Sequence, residues 1–135
     1  MRSGYDQYRQ TSIQTAPPEQ LIVMLYDGAI RSLEQAKLAI QSGKDPSEAI
    51  AKAQDIFAEL AASLNLSAGE IAGNLSQLYN FWIQRLFQAQ IHRETGMVDE
   101  VNTMARDLRE AWATIAAQQR RLEAETAAGS LDSRK

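Results

Sequence analysis

Leu21-Ile22-Val23-Met24-Leu25-Tyr26-Asp27-Gly28-Ala29-Ile30 opens a helix whose large apolar side chains point almost every way round. A helix on a protein surface normally keeps one apolar stripe and a polar back. At about 100° per residue, Leu21, Ile22, Leu25, Ala29, Leu33, Ala36 and Ile40 form one coherent stripe. Val23 and Ile30 fall to one side of it and Met24 to the other. One stripe serves the protein's own core. The groups left over call either for crowded packing against neighbouring helices or for a partner chain. Leu21, Ile22, Leu25 and Ala29 are therefore assigned to the core, and Val23, Met24 and Ile30 to a partner.

Working outward, residues 1–16 read as a polar arm with Tyr5, Tyr8 and Ile13 as its large apolar groups. Pro17-Pro18 suits a first helical turn, where the missing N–H has no partner to lose. The first helix is predicted to run to about Ser42 and stop at Gly43. Asp45-Pro46-Ser47-Glu48 starts a second, with Asp45 as cap and Glu48 three residues on. Its stripe is Ile50, Ala53, Phe57, Leu60, Ala61 and Leu64, backed by Lys52, Asp55 and Glu59. Asn65 to Gly69 is a turn, and Ser67 to Glu70 offers a capping box for a third helix reaching about His92. The stripe there is Ile71, Leu75, Leu78, Tyr79, Trp82, Leu86 and Ala89, and Phe81, Phe87 and Ile91 lie outside it. Thr95-Gly96 breaks the chain. A fourth helix then runs from about Val98 to Glu125, with Val101, Met104, Ala105, Leu108, Trp112, Ile115 and Leu122 on one face. The apolar excess thus sits on helices one and three. Residues 126–135 read as a disordered or frayed tail.

Period-two alternation is absent, so no strand competes. Four helices with short linkers make an all-α, antiparallel up-down-up-down four-helix bundle over residues 17–125, with an N-terminal arm.

Composition narrows the function. The chain has 135 residues, enough for one domain, with 14 basic and 17 acidic residues and a net charge of −3. No basic block exists to neutralise a run of phosphates, so nucleic acid is not an expected partner. There is no cysteine, which leaves no disulfide, thiolate metal site or cysteine nucleophile. No apolar run is long enough to insert in a membrane, and the first twenty residues lack a secretory h-region. A cytoplasmic protein is expected.

Catalysis finds no residues to carry it. A di-iron bundle needs two Glu-x-x-His motifs, and His92 is the only histidine, with alanine at position 89. A phosphotransfer bundle uses one exposed helical His with a nearby Lys. His92 has Gly96 nearby but no lysine, and a histidine near a helix C-terminus is favoured by the dipole alone. Asp27 lacks a base, nucleophile or metal partner in sequence, and Gly28 more simply admits a close-packed neighbour. The chain is expected not to be an enzyme and to need no cofactor. A histidine phosphotransfer module and a homodimeric structural bundle remain the alternatives to a binding protein.

Several segments resemble one family in register. Tyr5-x-x-Tyr8, Thr15-Ala16-Pro17-Pro18-Glu19-Gln20-Leu21-Ile22 and Met24-Leu25-Tyr26-Asp27-Gly28-Ala29-Ile30 resemble the opening of the FliS family of flagellar export chaperones. Lys52 to Ile56 with Glu59-Leu60-x-x-Ser63-Leu64 is similar to its second helix. Gly69-Glu70-Ile71-Ala72-x-Asn74-Leu75-x-x-Leu78-Tyr79 is similar to its third, and Leu108-Arg109-Glu110-Ala111-Trp112 to its fourth. Pro17-Pro18 stands where members often have Ser-Pro, and Gly69 where many have Gly-Gly. The resemblance implies a cytosolic bundle that holds the C-terminal region of flagellin, prevents premature polymerisation and delivers it to the flagellar type III export gate. It also implies an arm lying near the binding surface and, for some members, contact with the flagellar anti-sigma factor. The candidate flagellin-binding residues are Tyr5, Tyr8, Ile13, Val23, Met24, Tyr26, Asp27, Ile30, Phe81, Phe87 and Ile91.

Overall fold

The computed structural model of the chain describes residues 17–132. Tyr5, Tyr8 and Ile13, with the rest of the expected arm, lie outside the described residues, as do 133–135. The described residues form α1 (Pro18–Gln41), α2 (Ser47–Ala62), a 3₁₀ turn (Leu66–Ala68), α3 (Glu70–His92) and α4 (Thr95–Asp132), with no strand among them. The described residues fall into two compact units, one spanning Leu25–Asp107 and the other combining residues 17–24 with 108–132.

All four helices contribute to the Leu25–Asp107 unit, and its cross-helix pairs give the topology. Gln90 Nε2 donates to Ser47 Oγ at 3.0 Å, and Gln54 Nε2 to the Ile83 carbonyl at 3.0 Å. Numbers rise along α2 as they fall along α3, so the two are antiparallel. Lys37 pairs with Asp99 at 2.9 Å and Glu34 with Arg106, which makes α1 and α4 antiparallel too. Arg85 grips Glu100 through Nε at 2.9 Å and Nη2 at 3.3 Å, tying α3 to α4. These pairs are part-exposed, so each contributes only about 0–1 kcal/mol, and their main effect is on register. The result is the expected up-down-up-down bundle.

An aromatic cluster fills the core of this unit. The Trp82 ring lies 4.9 Å from Phe57, 5.6 Å from Tyr79 and 6.4 Å from Tyr26, centroid to centroid. The Tyr26 and Tyr79 hydroxyls share a buried hydrogen bond of 2.8 Å. Burial pushes the Tyr79 phenol pKa up, while the bond from Tyr26 acts in the opposite direction. Trp82 Nε1 is buried without a hydrogen-bond partner. An orphaned donor of this kind costs about 1–3 kcal/mol, against the gain from burying the large ring.

α1 buries a wider sector than its predicted stripe. Tyr26, Ala29, Leu33 and Ala36 are fully buried, and Leu25 and Ile40 are only half-buried. Val23, Gly28 and Ser32 are buried as well, so the buried sector is centred close to the predicted one but is wider, taking in Val23 and Tyr26 on one side. Apolar side chains on several sectors leave the width of the buried face open from periodicity alone. The structure extends it on the side where the Tyr26 hydroxyl has Tyr79 to bond. Val23 and Tyr26 therefore do not lie on an open surface, contrary to their assignment to a partner.

On α2, Ile50, Ala53, Phe57 and Leu60 are buried as predicted. On α3, Tyr79, Trp82, Leu86 and Ala89 are buried, but Ile71 is 76% exposed. It precedes the level at which the core closes. On α4, Val98, Val101 and Ala105 are buried.

The helix ends correct several local readings. α1 stops as expected, with Gly43 at φ +69° and backbone bonds Gly43 to Ile40 and Lys44 to Ala39, the Schellman arrangement. Asp45 Oδ1 accepts from the Ser47 backbone at 3.0 Å and from Ser47 Oγ at 2.6 Å, which lowers its pKa. The α2 ladder starts one residue later than expected, at Ser47. Glu48 does not close a capping box but pairs forward with Lys52 at 3.6 Å. Ser67 does not cap α3, because its hydroxyl is held by Asn65 Oδ1 at 2.6 Å. Gly69 enters α3 instead, at φ 119° and ψ −164°.

That backbone region is essentially restricted to glycine. A Cβ at Gly69 meets nothing within 4 Å, so the whole cost of a side chain is conformational. Gly69→Ala is expected to lower the unfolding free energy by about 1–3 kcal/mol, read by urea denaturation. An unchanged midpoint shows that this turn relaxes freely.

The break between α3 and α4 falls at Arg93, which takes the left-handed conformation at φ 53°. Thr95 and Gly96 already belong to α4, so Gly96 does not end a helix. Arg93 is tethered by Asp45 at 3.5 Å and by the Lys44 carbonyl at 3.4 Å.

In the second unit, α1 contributes residues 18–24 and α4 residues 108–132. Arg120 Nη1 donates to Gln20 Oε1 at 3.1 Å. Pro17, Gln20, Ala116, Gln119 and Arg120 border one small crevice. Val23 and Ala116 are buried, while Leu21, Ile22, Met24, Leu108 and Trp112 are half-buried. Leu21 and Ile22 are thus less buried than a core assignment implies. α4 does not stop near Glu125 but continues to Asp132. The run Glu123-Ala124-Glu125-Thr126-Ala127-Ala128 is rich in strong helix formers, and nothing breaks it before Gly129.

Candidate partner-binding face

α3 presents one outward face that lacks charge. Asn74, Gln77, Asn80, Phe81, Gln84, Phe87, Gln88 and Ile91 are all exposed, and none is ionisable. Between Glu70 and His92 the helix has a single charged residue, Arg85. Arg85 is drawn aside by Glu100, and its guanidinium stands 5.5 Å over the Phe81 ring. A solvated helix face normally has charges of both signs. This one combines amides with Phe81, Phe87 and Ile91, which are 42%, 52% and 57% exposed.

Helical geometry groups these three. Phe87 and Ile91 are four residues apart and lie within about 40° of each other. Phe81 is about 80° from Ile91, on the flank of the same face. The face suits a chain that supplies an apolar strip and amide or backbone hydrogen bonds. Arg85, paired with Glu100, is the single cation at its margin.

The predicted residues on α1 behave differently. Asp27 and Ile30, one turn apart on this unit's part of the helix, are half-buried, as is Met24 in the other unit. Tyr26 and Val23 are buried, as described above. The structure thus assembles the α3 residues into one face and withdraws two of the α1 residues from solvent. Sequence reasoning missed the amides of that face, whose signal was a single charge, Arg85, between Ile71 and Ile91. It also placed Ile115 and Leu122 with the inward face of α4, yet they are 44% and 57% exposed. The apolar excess is therefore not confined to α1 and α3.

Chemistry of other kinds finds no support. His92 is exposed in the last turn of α3. Among the described residues no three His, Cys, Asp or Glu side chains converge on a possible metal position. No helix of the described residues is long and apolar enough to cross a membrane.

The family described as "Flagellar protein FliS" matches residues 1–119 of this chain. The chain belongs to the FliS family. It is 39% identical over 121 residues to the flagellar secretion chaperone FliS of Salmonella typhimurium, covering 84% of this chain and 90% of that protein. It is 35% identical over 114 residues to the flagellar secretion chaperone FliS of Bacillus subtilis, covering 83% and 85%. A crystal structure of a bacterial flagellar chaperone superposes with a TM-score of 0.70 over 84% of this chain and 95% of that one, at 21% identity. That likeness supports the bundle fold. FliS family members are chaperones rather than enzymes, and membership makes this chain a flagellar secretion chaperone.

Proposed function

We propose that this chaperone holds the C-terminal region of flagellin in the cytosol, blocks its premature polymerisation and passes it to the flagellar export apparatus. The observation that supports this reading is the charge-free outer face of α3, with Phe81, Phe87 and Ile91 exposed among amides. A secretion chaperone must cover apolar surface on its cargo without catalysing anything. A segment that is disordered when free and folds on binding forfeits about 2–5 kcal/mol in ordering. Burial of apolar area, at about 25 cal/mol per Å², has to exceed that.

Isothermal titration with full-length flagellin and with flagellin lacking its C-terminal segment tests the proposal. Full-length flagellin is expected to bind one to one, and the truncated protein at least about a hundredfold more weakly, a loss of about 2.7 kcal/mol. Equal binding by the two would refute the proposed mode.

A further inference from the structure

Gly73, Gln77, Asn80, Gln84, Phe87 and Ile91 recur along α3 at alternating intervals of four and three residues. That spacing keeps one line of a helix turned the same way. Here the line turns outward: Gly73 is half-buried and the other five are exposed. Gly73 and Ile91 are five full turns apart and share one azimuth, about 27 Å from end to end. The line has large apolar groups at one end, amides in the middle and no side chain at the other end.

Glycine disfavours a helix interior relative to alanine, and α3 gains nothing internal from having it at position 73. Positive φ requires glycine at Gly43 and Gly69 but not at Gly73. Gly73 lies within α3 rather than at its cap. A Cβ placed there would meet nothing within 4 Å, so neither a neighbouring helix nor a nearby side chain needs the space. Gly96 and Gly129 stand equally clear, but they belong to α4 and not to this line.

We propose that Gly73 is where the main chain of the bound flagellin segment comes closest to α3. The inference rests on the reading of this face as the cargo surface. Without a side chain at position 73, two backbones can approach to contact. The amides of Gln77 and Asn80 beside it can each donate to and accept from main-chain groups. Phe87 and Ile91 take apolar side chains of the segment at the far end. The segment therefore runs the length of the line and tilts towards α3 at its Gly73 end. Affinity then depends on the absence of a side chain that helix stability would favour.

Isothermal titration of full-length flagellin into Gly73→Ala and Gly73→Leu, with urea denaturation of each free variant, tests this. Gly73→Ala is expected to raise the urea midpoint by about 0.3–0.5 M and to weaken flagellin binding about fivefold. Gly73→Leu is also expected to raise the midpoint, and to weaken binding at least about a hundredfold. A purely structural role for Gly73 would move stability and affinity in the same direction. A lower midpoint for Gly73→Ala therefore overturns the proposal, because the helix itself then needs the glycine. Binding by Gly73→Leu within about threefold of the wild type also overturns it. If Phe87→Asp with Ile91→Asp weakens binding while Gly73→Leu does not, this inference alone falls. If both bind like the wild type, the reading of the face as the cargo surface falls with it.

Discussion

Trp82→Ala is expected to lower the unfolding free energy by about 3–5 kcal/mol, the usual cost of truncating a buried aromatic. Trp82 is fully buried and is the one ring in contact with Phe57, Tyr79 and Tyr26 together. Its removal opens a cavity where α1, α2 and α3 meet. Domains of this size have about 5–15 kcal/mol in total, so the variant should be near its unfolding threshold at 37 °C. Urea denaturation reads the loss directly. Trp82→Phe is the informative companion. It keeps much of the ring and removes the unpartnered Nε1–H, so its cost should be about 1–2 kcal/mol. If Trp82→Ala costs less than about 1 kcal/mol, the aromatic cluster does not organise this core.

Phe87→Asp combined with Ile91→Asp is expected to weaken flagellin binding at least about a hundredfold while leaving far-UV circular dichroism unchanged. Both side chains are more than half exposed, so the fold gains little from them. Each substitution puts a negative charge among apolar and amide groups, and an apolar cargo segment would have to desolvate it. Ile71→Asp serves as the control. Ile71 is the most exposed large apolar group on α3 but points about 160–200° away from Ile91 and Phe87. Its substitution should leave affinity within about threefold. If all three variants bind flagellin like the wild type, the outer face of α3 is not the cargo surface. Loss of helicity in the double variant instead assigns Phe87 and Ile91 to the core.

The contrast between α2 and α1 shows what made parts of the fold legible. α2 has apolar groups on one sector and Lys52, Asp55 and Glu59 on the other, so its buried residues could be named correctly. α1 has Val23, Met24, Leu25, Tyr26 and Ile30 spread over several sectors, and its inward face proved wider than the predicted stripe, taking in Val23 and Tyr26. Tyr26 was among the candidate binding residues. Its partner, Tyr79, is 53 positions away, and no local pattern announces it. The helix ends divide in the same way. Gly43 stops α1 through a conformation glycine favours, and that was legible. Arg93 stops α3 in a conformation that arginine adopts at some cost, held by Asp45 and Lys44, which are distant in sequence.

For the site, the sequence marked Phe81, Phe87 and Ile91 as surplus to the stripe of α3, and they are exposed. It could not show that Tyr26 and Val23 are buried, because burial depends on which neighbours surround a residue. Helix number, order and turns followed from periodicity and from turn residues, which are local properties of the chain. Family membership followed from motifs in register. The burial of Val23 and Tyr26 on α1, the hydroxyl pair of Tyr26 and Tyr79 and the exposure of Ile115 and Leu122 on α4 were settled only by tertiary packing. Each depends on the volumes and hydrogen-bonding groups that distant segments bring to one place, and hydrophobic periodicity contains no record of them.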